Sequence, residues 1–281
     1  MSAAAAETRY DVPAELDPRF FVDGIGALYS GAANVIMQLS LRPVAYGVME
    51  STVEGGRVDK HPYKRQRTTL TYLGVALMGT DEDRAVYREA VNTAHRHVRS
   101  TEQSPVRYNA FDRNLQLWVA ACLYYGATDV YEQLHGPLDE DTHAALYPYA
   151  SRLGTTLRVP EEMWPADQAT MKTYLDAGLE AAEFDEQTKA YLLALLRFEM
   201  VSKLLRPLTF FFTFMNTGYL PAPLRDKLGL SWSPRRQRVW QRVNRATGWT
   251  YRRLPRVARM FPFNLYLWDM RRRVRKGKRL V

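Results

Sequence analysis

The sequence predicts an all-α fold in a single domain, and three observations carry that expectation. Apolar residues recur at helical spacing through most of the 281-residue chain. Alternating β-branched runs flanked by tight-turn signals are scarce. Connections between the helical segments are short, and no Pro/Gly/Ser-rich linker divides the chain. With 46% apolar and 25% charged residues the composition suits a sizeable core. No internal repeat is visible, which argues against a helical solenoid.

Taken in order, the first candidate is a small-residue apolar segment from Ile25 to Leu41, expected to be a buried helix that kinks or ends at Pro43. Proline lacks the amide hydrogen and its ring collides with the preceding turn. Tyr63 to Met78 reads as a second helix, closed by Gly79 in a left-handed cap. Thr80, followed by Asp81, Glu82 and Asp83, opens a third helix running to about Ser100. Asp112 to His135 forms a fourth, stopped by Gly136-Pro137. Further helices are predicted over 141–153, 166–179, 185–205, 224–228, 234–245 and 262–275.

Charge and cysteine content narrow the setting. Cys122 is the only cysteine and lies inside the apolar run Leu117 to Leu123, so no intrachain disulfide forms and the thiol is expected to be buried and inert. Residues 1–19 carry four acids and lack the apolar core of a signal peptide, which makes the reducing cytoplasm the expected location. The apolar stretch Leu208 to Met215 is far shorter than the roughly 20 residues of a spanning helix. The net charge of +9 is concentrated: residues 235–281 hold 16 Lys and Arg against Asp269 alone, while the rest of the chain is mildly acidic.

Candidate chemistry centres on the third helix, which holds His95 and His97. With residues about 100° apart, Tyr87, Val91, Ala94 and Val98 share one face and the two histidines flank it, so periodicity does not choose between them. Residues two apart diverge on a helix, so the pair cannot chelate one metal, and no Cys cluster or His-Glu-x-x-His pattern supplies a zinc site. A single histidine can still serve as an axial ligand to haem iron, because the porphyrin provides the in-plane donors. The plainer alternative is two half-buried histidines bonded to neighbours. At the start of the second helix, Arg65 and Thr69 are four apart and share a face, where the guanidinium could meet an acid. A solvated basic first turn is the alternative there.

Several stretches in order resemble the family of rubber oxygenases (latex-clearing proteins) and MpaB-type oxygenases. They are Asn34 to Val48, Arg65 to Leu73, His95 to Val98, Tyr108 to Asp112 ahead of Leu117-Trp118-Val119, and Gly218 to Pro221. The likeness covers about residues 24–262, leaving 1–23 as an N-terminal extension and 263–281 as a basic C-terminal helix and tail. It implies an all-α bundle enclosing a haem b pocket, with His95 as the iron ligand and Arg65 and Thr69 beside the haem. It also implies oxygenase chemistry with dioxygen on a hydrophobic, isoprenoid or lipid-like substrate.

Two departures from the family pattern stand out. Rubber oxygenases carry a lysine where this chain has Thr68, a poor iron ligand. Their proposed base, a glutamate upstream of the arginine, corresponds best to Glu50, with Glu54 competing. Those enzymes are secreted, so polymeric rubber is not the expected substrate here.

The basic C-terminal region interleaves Trp240, Trp249, Tyr251, Tyr266 and Trp268 with its arginines. It reads as solvated helix faces packed on the body or as a peripheral contact with an anionic membrane. Nucleic acid is the less fitting partner. A non-catalytic helical protein docking through this region is the competing functional reading.

Overall fold

The structure, a computed structural model, describes residues 22–53, 57–202, 204 and 206–281. Most of the 1–23 extension and the competing Glu54 therefore lie outside the described residues. Among the described residues there is no strand, only an isolated antiparallel bridge between Arg99 and Asn109.

A long helix, Arg113–His135, is the strut on which the others assemble. Its N-terminus is capped by the Asp112 carboxylate, which accepts from the amides of Asn114 and Leu115, and it stops at Gly136, whose φ of 98° suits glycine. In chain order it is α6. Ahead of it come α1 (Gly24–Tyr29), α2 (Gly31–Gln38), α3 (Arg42–Met49), α4 (Pro62–Met78) and α5 (Asp81–His95). After it come α7 (Glu140–Ala150), α8 (Arg152–Thr155), α9 (Gln168–Glu180), α10 (Glu186–Leu196) and α11 (Arg206–Tyr219). The chain closes with α12 (Ala222–Lys227), α13 (Pro234–Tyr251), α14 (Arg256–Arg259) and α15 (Phe263–Arg275).

Two apolar cores flank α6. One gathers α4, α5, the first half of α6, α9 and α15 around Trp118, Tyr87 and Met171; the other gathers α1, α2, α10, α11 and α13 around Ile36, Leu192 and Met215. Phe184 packs against both, which joins them into one body. Buried polar groups fix the junctions. The Asn34 amide donates to the Cys122 carbonyl at 2.6 Å, the Trp118 indole donates to the Gln38 carbonyl at 3.1 Å, and the Ala33 amide donates to Asn216 Oδ1 at 3.0 Å. Each would otherwise be an unpaired group in an apolar interior. The buried His135–Asp23 pair ties the end of α6 to the start of α1. At Gly248, α13 approaches α6 so closely that a Cβ would sit 1.7 Å from the Leu134 carbonyl oxygen.

Several local expectations need correction. Pro43 does not end a helix: it occupies the first turn of α3, where a missing amide hydrogen costs nothing, and the 25–41 segment is broken instead at Ser30 and Leu39. Gly79 is extended (φ −78°, ψ 157°), because the chain passes straight into the Thr80 cap of α5. That cap is a full capping box with Asp83. α5 stops at His95 rather than Ser100. α10 ends at Leu196, and α11 is a separate helix that the sequence reading passed over.

The C-terminal end doubles back. α15 packs along α4, with Phe263, Leu267 and Met270 in the first core. Gly277, at φ 58°, then reverses the chain. The Lys278 amide donates to the Arg273 carbonyl at 2.9 Å, and the Arg273 guanidinium donates to the Arg279 carbonyl at 3.2 Å. Leu280 and Val281 finish against the first core.

Candidate functional site

A cavity of about 240 Å³ opens among α3, α4, α5 and the first half of α6. Its wall is mainly apolar: Val44, Val48, Val91, Val98, Leu115, Val119 and Leu123 all contribute, and Val281 closes one side. The segment after α5 shapes it. The Ser100 amide donates to the Tyr108 carbonyl and the Ala110 amide to the Val98 carbonyl, so residues 98–110 fold as a small clasp that holds Tyr108 and Asn109 against the cavity.

His95 and His97, which periodicity left equivalent, are separated by the end of α5. His95 is its last residue and lines the cavity, whereas His97 lies beyond the helix and is exposed. His95 and Arg65 both line the cavity and are otherwise deeply surrounded by protein. His95 Nδ1 is buried and has no hydrogen-bond partner. Burial, reinforced by the neighbouring Arg65 charge, lowers its pKa to about 4, so the imidazole is neutral at pH 7 and keeps a free lone pair. Its ring meets Phe111 edge to face at 6.4 Å.

Arg65 projects from α4 into the same space. Burial disfavours its charge, and its electrostatic neighbours are the hydroxyls of Tyr191 and Tyr87; no carboxylate of the described residues pairs with it. Thr69, one turn on, lines the cavity beside it. Thr68 is turned onto its own helix, its hydroxyl donating to the Arg65 carbonyl at 3.0 Å, and Tyr87 donates to the Thr68 carbonyl at 2.7 Å. Tyr72, also in the wall, donates to the Leu153 carbonyl.

Glu50 is not in the wall. It sits behind Tyr108, and its Oε2 accepts from the Tyr108 hydroxyl at 2.7 Å and from the Ser104 hydroxyl at 2.6 Å. Burial and the Glu50 bond together push the Tyr108 hydroxyl up to about 12. The structure thus brings His95, Arg65 and Thr69 onto one cavity and sets Glu50 one residue away from it. Sequence reasoning missed the Glu50–Tyr108 link and the contribution of Val281. For Tyr108 the available signal was its place in the Tyr108 to Asp112 block.

The donor set can be tested against candidate groups. Among the described residues no three His, Cys, Asp or Glu side chains converge to chelate a metal ion. A single buried, neutral imidazole without a partner at Nδ1, beside a guanidinium that no carboxylate of the described residues pairs with, would fit a bond to haem iron and a contact to a haem carboxylate. A cavity of 240 Å³ is small for a porphyrin, whose entry requires wall side chains to shift.

Comparison with known proteins agrees with the geometry. The catalytic domain described as ER-bound oxygenase mpaB/B′/rubber oxygenase matches residues 19–252. Uncharacterised proteins of Mycobacterium tuberculosis and Mycobacterium bovis are each 47% identical over 251 residues, covering 89% of this chain and 98% of the relative. No solved structure matches the chain. An all-α body with a histidine-walled apolar cavity, matched over most of its length by that catalytic domain, belongs to the mpaB and rubber oxygenase family.

Proposed function

We propose that this member of an oxygenase family is haem b-dependent and acts with dioxygen on a hydrophobic, isoprenoid or lipid-like substrate. The observation that supports this most is the His95 imidazole: buried, neutral and without a partner at Nδ1, on the wall of an apolar cavity. Among the described residues, this Nδ1 is the unsatisfied buried atom whose side chain lines the cavity. When bound, haem supplies the redox-active iron that activates dioxygen; the protein supplies position and environment. His95 would hold the haem iron, and Arg65 would offer a guanidinium to an anionic group such as a haem carboxylate. Thr69 orients what lies between them. The apolar wall seats a hydrocarbon chain and excludes water. Glu50 acts on the cavity through Tyr108, accepting its hydroxyl proton in a hydrogen bond and so holding that hydroxyl in place. The proposed catalytic unit spans residues 24–262, close to the matched region.

The test is a haemin titration of the purified protein followed by absorption. A Soret band that saturates near one haem per chain and is weakened or lost in His95→Ala supports the reading. A wild-type protein that stays colourless with added haemin refutes it.

A further inference from the structure

The function proposed above leaves one large feature unused. Six big apolar side chains stand out from a surface crowded with arginine: Phe210 (82% exposed), Val257 (68%), Trp249 (57%), Phe261 (56%), Trp268 (53%) and Phe211. They come from four helices and the turn ahead of α15; α11, α13 and that turn meet at α1, and α14 is joined to α15. The Phe211 ring packs on Tyr29 at 5.8 Å, and the Tyr29 hydroxyl lies 3.3 Å from Thr247 Oγ1, two residues before Trp249. The backbone carbonyl of Phe261 runs so close to Gly24 that a Cβ there would overlap it. The Asn264 side chain donates to the Val257 carbonyl at 2.9 Å, joining α14 to α15, which carries Trp268.

Positive charge covers the same face. From Arg245 to Trp268 the sequence has five arginines and no acid. Among the described residues, Asp23 is buried against His135, and Asp269 is held by Arg272 at 3.1 Å and Arg273 at 2.7 Å. Both exposed tryptophans carry a guanidinium, Arg253 lying 3.5 Å from the Trp249 ring centre and Arg272 5.4 Å from that of Trp268.

We propose that this face docks on the surface of an anionic phospholipid bilayer. Three arguments select that occupant. A second copy of the chain would bring arginine against arginine. A nucleic acid would reward the charges and stack on the tryptophans, but Val257 has no stacking face and would gain nothing. A bilayer interface rewards all of them at once, since apolar and aromatic side chains enter the acyl boundary while arginines remain among the phosphates. No helix of the described residues is long and apolar enough to cross a membrane, so the contact is with the surface. This proposal does not rest on haem binding and stands or falls separately from it.

The experiment is co-sedimentation of the full chain with vesicles of phosphatidylcholine mixed with phosphatidylglycerol, in parallel with pure phosphatidylcholine vesicles and with retention of single-stranded DNA. The wild type is expected to pellet with the mixed vesicles, weakly with the neutral ones, and less as salt is raised. The triple substitution Phe210→Ser, Trp249→Ser, Trp268→Ser removes exposed side chains only; with its circular dichroism unchanged, it is expected to bind the mixed vesicles about tenfold more weakly. Tryptophan emission of the wild type is expected to be quenched by lipids brominated on the acyl chain. Undiminished vesicle binding by the triple variant, absent quenching, or retention of DNA without vesicle binding would each overturn the proposal.

Discussion

Replacing His95 with leucine should move stability and cofactor binding in opposite directions. Leucine has a bulk close to that of imidazole, so the wall of the cavity keeps its shape. A buried polar atom without a partner costs the fold about 1–3 kcal/mol, and His95 Nδ1 is such an atom. Leucine removes that cost and adds apolar contact with its neighbours, so the haem-free His95→Leu protein should be more stable by about 1–2 kcal/mol. In a chain of this size that raises the melting temperature by about 2–4 °C. The assay is thermal unfolding of haem-free wild type and variant, followed by circular dichroism at one pH near 7, with a haemin titration of both. The variant should melt higher and lose the Soret band of the wild type. If it melts lower, the imidazole is satisfied in the folded protein and the orphaned lone pair is not there to serve iron. If it melts higher but titrates haemin as the wild type does, the axial role of His95 is lost.

Three further outcomes follow from other parts of the molecule. Burial raises the Asp129 carboxyl to about 6, against an unfolded value near 3.9. The folded state therefore holds a proton that the unfolded state has released, and stability falls as pH rises from about 4 to 6. Asp129→Asn, which can still accept from Gln133, should stabilise the protein by about 2 kcal/mol at pH 8 and not at all at pH 4, as read from urea unfolding at both. Asp185 behaves in the reverse sense. Burial opposes its charge, but the Thr188 amide, the Tyr46 hydroxyl and Arg42 outweigh burial and hold it at about 2. Its contribution is complete above pH 4 and lost as pH falls through about 2, so Asp185→Asn should cost about 1–2 kcal/mol at pH 7 and only a small part of that at pH 2. Gly248→Ala places a methyl group into the Leu134 carbonyl, forcing α13 off α6; a loss of about 3 kcal/mol in urea unfolding is expected.

What the sequence made legible was mostly local. The opening of α5 at Thr80, the start of α6 at Asp112 and its stop at Gly136 each depend on residues within a turn of one another, and the structure has all three. Arg65 and Thr69 were expected on one face of a helix, and both line the cavity. The choice between His95 and His97 was not legible, because it turns on where α5 ends. That point is set by the pairing of residues 98–100 with 108–110, which no periodicity in α5 records. The family resemblance points to Glu50 as a base upstream of Arg65 but not to its partner: its hydrogen bond is to Tyr108, 58 residues away, a link that sequence separation does not record. Pro43 was misplaced for a different reason: proline suits the first turn of a helix as well as it disrupts a later one, and the residue alone does not say which.

The returning C-terminal segment has a practical consequence for anyone handling this protein. Val281 belongs to the same chamber as His95, so a histidine tag or fluorescent fusion joined there would thread a foreign polar peptide past the chamber's edge and offer surplus imidazoles to any iron nearby. Spectra of material tagged at that end would report on the tag as much as on the protein.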